Sequence, residues 1–249
     1  MSGSEPATEA RAPLSRERVL ETAVAFADRH GLDALSMRKL AEQLDAGAMS
    51  LYHYVANKEQ LLDGMVDIVF GEIEPPSLEL DWKTAMRRRA LSTREALNRH
   101  RWAVGLMEGS MNPGPAGIRI REAILGCLRE AGFSIEMTVQ AYSVQDAYIY
   151  GFALQERSLP FESAEESTAM AEATTQQVAD LAKDFPYLAE VVAGHVARVG
   201  YDFTAAFEYG LDLILDGLGE RRDATVSRAG PPAGGERPGG ASRCPPRPC

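Results

Sequence analysis

Cysteine and histidine are scarce in this chain, and their placement excludes several kinds of chemistry. The three cysteines are Cys127, Cys244 and Cys249, and the four histidines are His30, His53, His100 and His195, far apart in sequence. None has the His/Cys company that a zinc site needs. Cys127 sits among apolar neighbours in a helical pattern, as a buried thiol does. Neither a metal nor a cofactor is expected. GxSxG, P-loop, HExxH and strand-borne GxGxxG patterns are also missing, so no residue is assigned a catalytic role and the chain is not read as an enzyme. No apolar run approaches membrane length, and the opening MSGSEPATEARAP is polar and acidic, unlike a signal peptide. A cytoplasmic protein is expected.

Positive charge is short as well. Lys and Arg number 26 against 36 Asp and Glu, for a formal net charge of −10. The deficit is local: from Glu136 to Glu220, fifteen acidic residues face only Arg157, Lys183 and Arg198. Lys83–Arg101 is instead strongly basic, with Arg87, Arg88, Arg89, Arg94, Arg99 and Arg101 beside a single Glu95. The Arg87–Arg89 run reads as a solvated helix face whose ion-pair partners lie in the acidic half. An acidic distal half weakens non-specific polyanion binding but leaves a local cationic surface usable.

Hydrophobic residues make up 45% of the chain, enough for a substantial core. Period-two alternation is absent, so the fold is read as all-α. Ser15–His30 is amphipathic, with Val19, Leu20, Ala23, Val24 and Ala27 on one stripe and Gly31 where a C-cap belongs. Ser36 is an N-cap for Met37–Leu44, Asp45–Gly47 is a break, and Ala48–Val55 is a second short helix with Leu51 and Val55 inward. Its other face carries Met49, Ser50, Tyr52, His53 and Tyr54, groups suited to a DNA major groove. Asn57 and Gln60 form a capping-box pattern for the next helix. This is a helix-turn-helix, and it points to operator binding.

The string TAVAFADRHGLDALSMRKLAEQLDAGAMSLYHYVANKEQLLDGM resembles the DNA-binding domain of the TetR family of bacterial repressors. Gly31-Leu32, Leu40-Ala41…Leu44, Leu51-Tyr52…Val55 and Lys58…Leu61-Leu62 carry the match. A weaker resemblance to the tetracycline-repressor type of C-terminal domain runs through Trp82…Arg94…Ala96-Leu97 and Ala131-Gly132-Phe133-Ser134. Asp45 departs from the family's usual glycine, although Asp tolerates left-handed backbone. The expected DNA contacts are Ala48, Met49 and His53 at base edges and Ser50, Tyr52, Tyr54 and Lys58 at phosphates. The resemblance adds Arg38 as a guanine reader. It also implies operator DNA, a second copy of the chain and a small-molecule effector as partners, with no membrane. At the positions aligned with the relatives' metal–drug contacts stand Glu74, Arg89, Thr93 and Met107, which argues against a tetracycline–Mg chelate.

The expected organisation is a disordered segment over 1–13, a three-helix DNA-binding domain over 14–60, a helical effector and dimerisation domain over 61–220, and a disordered Pro/Gly/Arg-rich tail over 221–249. Ser134–Arg157 and Tyr187–Leu218 are each apolar on more than one face, so each must bury more than one face. The resemblance implies a four-helix interface between two copies, with Ile149, Phe203, Phe207 and Leu211 as expected seam residues. Trp82, Trp102, Met107, Met111, Tyr142, Gln145, Asp146 and Tyr150 mix large apolar bodies with polar handles, as ligand pockets do. The reading is a homodimeric, ligand-responsive transcriptional repressor. The competing readings are an enzyme and a ligand-binding or protein-interaction module whose helix-turn-helix core never touches DNA.

Overall fold

The computed structural model describes residues 13–108, 114–158, 182, 184–191, 194 and 202–229, and among these every regular element is helical. Met111, one of the expected pocket residues, lies outside them, as do residues 1–12 and 230–249. Three helices and a 3-10 turn form the head: α1 (Arg16–His30), Leu32–Ala34, α2 (Met37–Leu44) and α3 (Ala48–Leu51). A long connector, α4 (Lys58–Gly71), leads into a body of α5 (Trp82–Arg99), α6 (Val104–Glu108), α7 (Pro115–Glu130), α8 (Ile135–Arg157), α9 (Pro186–Val191) and α10 (Phe203–Ala229).

Local chemistry sets the head's boundaries. Ser15 and Ser36 accept from the Arg18 and Lys39 amides as N-caps, each replacing a hydrogen bond that a helix start lacks. Gly31 closes α1 at φ 77°. Asp45 closes α2 in the left-handed region at φ 54°, ψ 44°, so the carboxylate residue does adopt the backbone where glycine is usual. Asn57 Oδ1 accepts from the Gln60 amide at 2.8 Å, while Gln60 Oε1 reaches back to the Ala56 amide at 3.1 Å. The reciprocal cap therefore spans one residue more than the sequence pattern implies.

Val19, Ala23, Leu40, Leu51, Leu61 and Met65 are fully buried where α1, α2, α3 and α4 meet. Each of these apart from Ala23 contributes about 1.5–3 kcal/mol, and this packing, more than helix propensity, holds so short an α3 in place. Gly64 lets α4 approach α1 closely: a Cβ there would lie 2.6 Å from Leu20 Cδ2. In the body, α5 packs against α7, α8 and α10, and α8 against α10.

Three expectations on segments change. The second helix-turn-helix helix ends at Leu51, and Tyr52–Tyr54 is a turn in which the Tyr54 amide bonds Leu51 O at 2.9 Å. The continuous helix expected over Tyr187–Leu218 is broken, because Asp202 is non-helical and its Oδ1 accepts the Thr204 and Ala205 amides, starting a new helix at Phe203. That helix runs to Ala229, so the expected disordered tail is helical over Arg221–Ala229. RRDATVSRA has neither Gly nor Pro, and Arg222 anchors it, over the Trp82 ring at 5.4 Å.

Candidate nucleic-acid interface and interior polar site

The α3 segment presents one buried anchor and a ring of exposed groups. Leu51 is wholly buried, while Met49 is 77% exposed and Ser50, Tyr52 and His53 are exposed beside it. Ala48 and Tyr54 are half-buried and pack against the core, which leaves Tyr54 less free to follow a phosphate than expected. Arg38, on the first turn of α2, is exposed and bonds Glu42 Oε1 at 3.1 Å one helical turn on. An exposed pair of this kind contributes only about 0.3–0.5 kcal/mol, so Arg38 can exchange Glu42 for an acceptor on a base. Lys58 is exposed at the first position of α4, directly after the Asn57 cap, where the helix N-terminus also favours an anion. Of the expected contacts, Arg38, Met49, Ser50, Tyr52, His53 and Lys58 are exposed.

The body places the expected pocket residues in three different locations. Trp82 packs edge-on to Phe133 at 4.9 Å, beneath Arg222. Trp102 turns toward the head, and its indole Nε1 donates to Asp28 Oδ1 on α1 at 2.6 Å. Neither belongs with the remaining group, because each is committed to a local partner of its own. Tyr142, Gln145, Asp146 and Tyr150 share α8, whose inner face meets α5, and Met107 is buried on α6, which also packs on α8.

Arg89 joins this interior group. It is 2% exposed and donates from Nη2 to Asp146 Oδ1 at 2.6 Å. Burial and the nearby Asp146 carboxylate push the phenols of Tyr142 and Tyr150 up, so both stay protonated donors. Arg89 had been read as part of a solvated face. That reading holds for Arg87, which bonds Glu208 and Asp212 of acidic α10 at 2.9 Å each. Two residues further round the helix, Arg89 points inward. Arg94 is mostly buried too, pairing with both Glu156 oxygens and lying over the Phe207 ring at 5.2 Å.

Two polar clamps tie head to body, and neither was anticipated. Asp28 Oδ1 also meets His100 Nδ1 at 2.8 Å, while His100 Nε2 meets Glu72 Oε1 at 3.0 Å. Burial raises the Glu72 carboxyl, but hydrogen bonds from Arg99 and His100 outweigh it and hold the group below its ordinary value. The second clamp is Asp67 on α4, whose Oδ1 accepts the Ala116 and Gly117 amides at the start of α7, at 2.9 and 3.0 Å. Histidine with two carboxylates more than twenty residues away in sequence has no local signature. The cleft of about 570 Å³ at this joint, between Leu20, Gly64, Asp67 and Pro115, includes none of the expected pocket residues.

The expected seam residues are displaced. Ile149, Phe207 and Leu211 are fully buried within the protomer, and Phe203 is half-buried against the same core. They fill the α8–α10 interior, where Tyr148 stacks on Phe207 at 5.3 Å. The exposed apolar side chains of these helices lie opposite: Val144 and Leu154 with Ala147 and Gly151 on α8, and Tyr209 and Leu213 on α10.

Residues 19–65 match the family described as bacterial regulatory proteins, tetR family, and residues 75–222 match the tetracyclin repressor-like C-terminal domain. The chain is 34% identical to the HTH-type transcriptional repressor DrrR1 of Streptomyces coeruleorubidus, across 87% of this chain and 82% of that one. It is 30% identical to the class A tetracycline repressor from transposon 1721 of Escherichia coli, across 89% and 98%. The solved structure of ActR of Streptomyces coelicolor with actinorhodin superposes with a TM-score of 0.72 at 31% identity, covering 84% of this chain and 96% of that one.

Proposed function

Because this chain belongs to the TetR family of bacterial transcriptional regulators, we propose that it works as a homodimeric repressor released from a palindromic operator by a small molecule bound in the body. The observation that carries the reading is the α3 surface: an otherwise exposed set of apolar, hydroxyl, imidazole and cationic groups pinned by a single buried leucine. Met49 offers an apolar contact to thymine methyls, His53 a hydrogen bond at a base edge, and Arg38 a reader of guanine. Ser50, Tyr52 and Lys58 hold phosphates and fix the register. A protein that meets operator DNA works in the cytoplasm.

The dimer seam is reassigned to the exposed faces of α8 and α10. Val144, Ala147, Gly151 and Leu154 recur at helical spacing without a charged residue among them, and Tyr209 and Leu213 continue the apolar surface. A two-fold axis there makes the contact self-complementary and sets two α3 surfaces in successive major grooves, about 34–36 Å apart.

An effector in the body reaches the DNA only through its different affinity for DNA-competent and DNA-incompetent dimers. Helix α4 is the connector that carries the change, because it packs on α1 at Gly64, caps α7 through Asp67 and ends in the Glu72–His100 clamp. Moving a population from nearly all bound to nearly all released needs about 5.5 kcal/mol per dimer, half of it from each site. A gel shift on DNA upstream of the protein's own coding region tests the regulator reading. A salt-sensitive shift with one dimer per inverted repeat is expected. No salt-sensitive shift on any segment contradicts it and favours a module without DNA contact.

A further inference from the structure

Within the body, the buried polar atoms do not balance. Arg89 Nε and Nη1 and both amide atoms of Gln145 are buried without a hydrogen-bond partner among the described residues. A buried donor or acceptor left unmatched costs about 1–3 kcal/mol, and more when the group is charged. Buried polar groups left in this state call for a partner from outside the chain, such as a water, an ion or a ligand. On the same two helices, Ile149, Met86 and Leu97 are fully buried.

We infer that Arg89 and Gln145 are the polar end of the effector site, and that the effector is a ring-bearing acid whose acidic oxygen meets Arg89 and whose neighbouring carbonyl or hydroxyl meets Gln145. This rests on the reading of the body as the effector domain. Three observations select the class. The open guanidinium positions only donate, so their partner is an acceptor, and a charged acceptor makes the stronger bond. Gln145 offers a donor and an acceptor together, which a carbonyl or hydroxyl next to the acid satisfies. Arg89 pairs with Asp146 beside Tyr142 and Tyr150, and the tyrosine rings provide flat apolar walls.

The test is calorimetry on the full-length, DNA-free protein with 1-hydroxy-2-naphthoate, its methyl ester and 2-naphthoate. The hydroxy acid is expected to bind roughly tenfold or more tightly than its ester, the worth of a charge-assisted hydrogen bond. Arg89→Met is expected to erase that difference. Gln145→Leu is expected to erase the advantage of the hydroxy acid over 2-naphthoate while leaving the melting temperature of the ligand-free protein unchanged or higher. Should Arg89→Met fail to fold because Asp146 is left alone, the pair Arg89→Met with Asp146→Asn removes both charges together. Equal binding of acid and ester, an acid affinity untouched by loss of Arg89, or no binding by any of the three overturns the inference. Fluorescence anisotropy with labelled upstream DNA separates it from the regulator reading. Acids that bind but never release DNA leave the site standing and remove the effector role. Release by neutral compounds that act equally on the Arg89 variant leaves the regulator standing and removes the acid site.

Discussion

The head and the body of this molecule place their working groups in opposite environments. In the head, Arg38, Met49, Ser50, His53 and Lys58 stand in water on a scaffold of buried leucine, valine and alanine, so the proposed readers and the stabilising core are different residues. In the body, Arg89 and Gln145 are buried in the same interior that holds the helices together, so under the proposed reading a residue there serves the fold and the ligand at once. The difference teaches how each region responds to change. Exposed side chains can be removed at little cost to the fold, whereas the interior of the body carries polar groups without partners among the described residues. The Asp28–His100–Glu72 and Asp67–α7 clamps lie where the two regimes meet.

The largest expected effect concerns which face of α10 is interior. Phe207→Asp places an unpaired carboxylate in the core and should cost about 4 kcal/mol or more, read as loss of the cooperative thermal transition. Leu213→Glu, on the exposed side of the same helix, should keep its helical circular dichroism and elute as a monomer. If Phe207→Asp gives folded monomers while Leu213→Glu stays dimeric, the two faces have been exchanged.

A smaller effect is expected at the joint. Asp28→Ala leaves the Trp102 indole and His100 without their shared acceptor, which should cost about 1–3 kcal/mol in chemical denaturation. It should also weaken coupling between body and head, so that the same saturating effector releases less operator. Full stability together with full release would show that the clamp joins nothing.

The joint also has a pH signature. The folded-state Glu72 carboxyl lies below its ordinary value of 4.5, so its contribution is present above about that pH and is lost as pH falls through the folded value. Glu72→Gln should therefore flatten the acid side of the stability–pH curve below about pH 4.5 and change little near neutrality. An unchanged acid limb would remove Glu72 from the account.

The smallest effect falls on the turn. Asp45 carries the left-handed conformation at φ 54°, and Asp45→Gly should raise stability by roughly 1 kcal/mol or less. Asp45→Val should lower it by about 1–2 kcal/mol through its β-branched side chain. Melting curves of the two variants check the sign.

The head was legible in sequence because its signals are local. Ser36, Gly31 and Asn57 announce helix ends, and the spacing of Leu40, Leu44, Leu51 and Val55 announces an inward face; the structure places all of these as read, apart from the early end of α3. The body was less legible because its decisive contacts are long-range. A helix apolar on two faces does not say which face meets its own core; Ile149, Phe207 and Leu211 are buried in it, while Val144, Leu154, Tyr209 and Leu213 are exposed. Large residues with polar handles did gather at Tyr142, Gln145 and Asp146. The two tryptophans carried the same composition signal, but Phe133 and Asp28 claimed them. Arg89 was hidden within a run of three arginines, where only a helical rotation of two residues separates an ion pair on the surface from a buried guanidinium.

The central claim is that the exposed α3 surface of a dimer reads an inverted repeat while Lys58 and its neighbours hold the phosphates. It is tested most directly by the slope of log affinity against log salt for wild type, Lys58→Ala and Arg38→Ala on the cognate repeat and on scrambled DNA. Lys58→Ala should lower affinity on both DNAs alike and flatten the slope by about one unit per subunit. Arg38→Ala should cost about 1–3 kcal/mol on the cognate repeat only. A Lys58 variant with an unchanged slope and altered base preference, or an Arg38 variant that weakens both DNAs equally, would contradict the account.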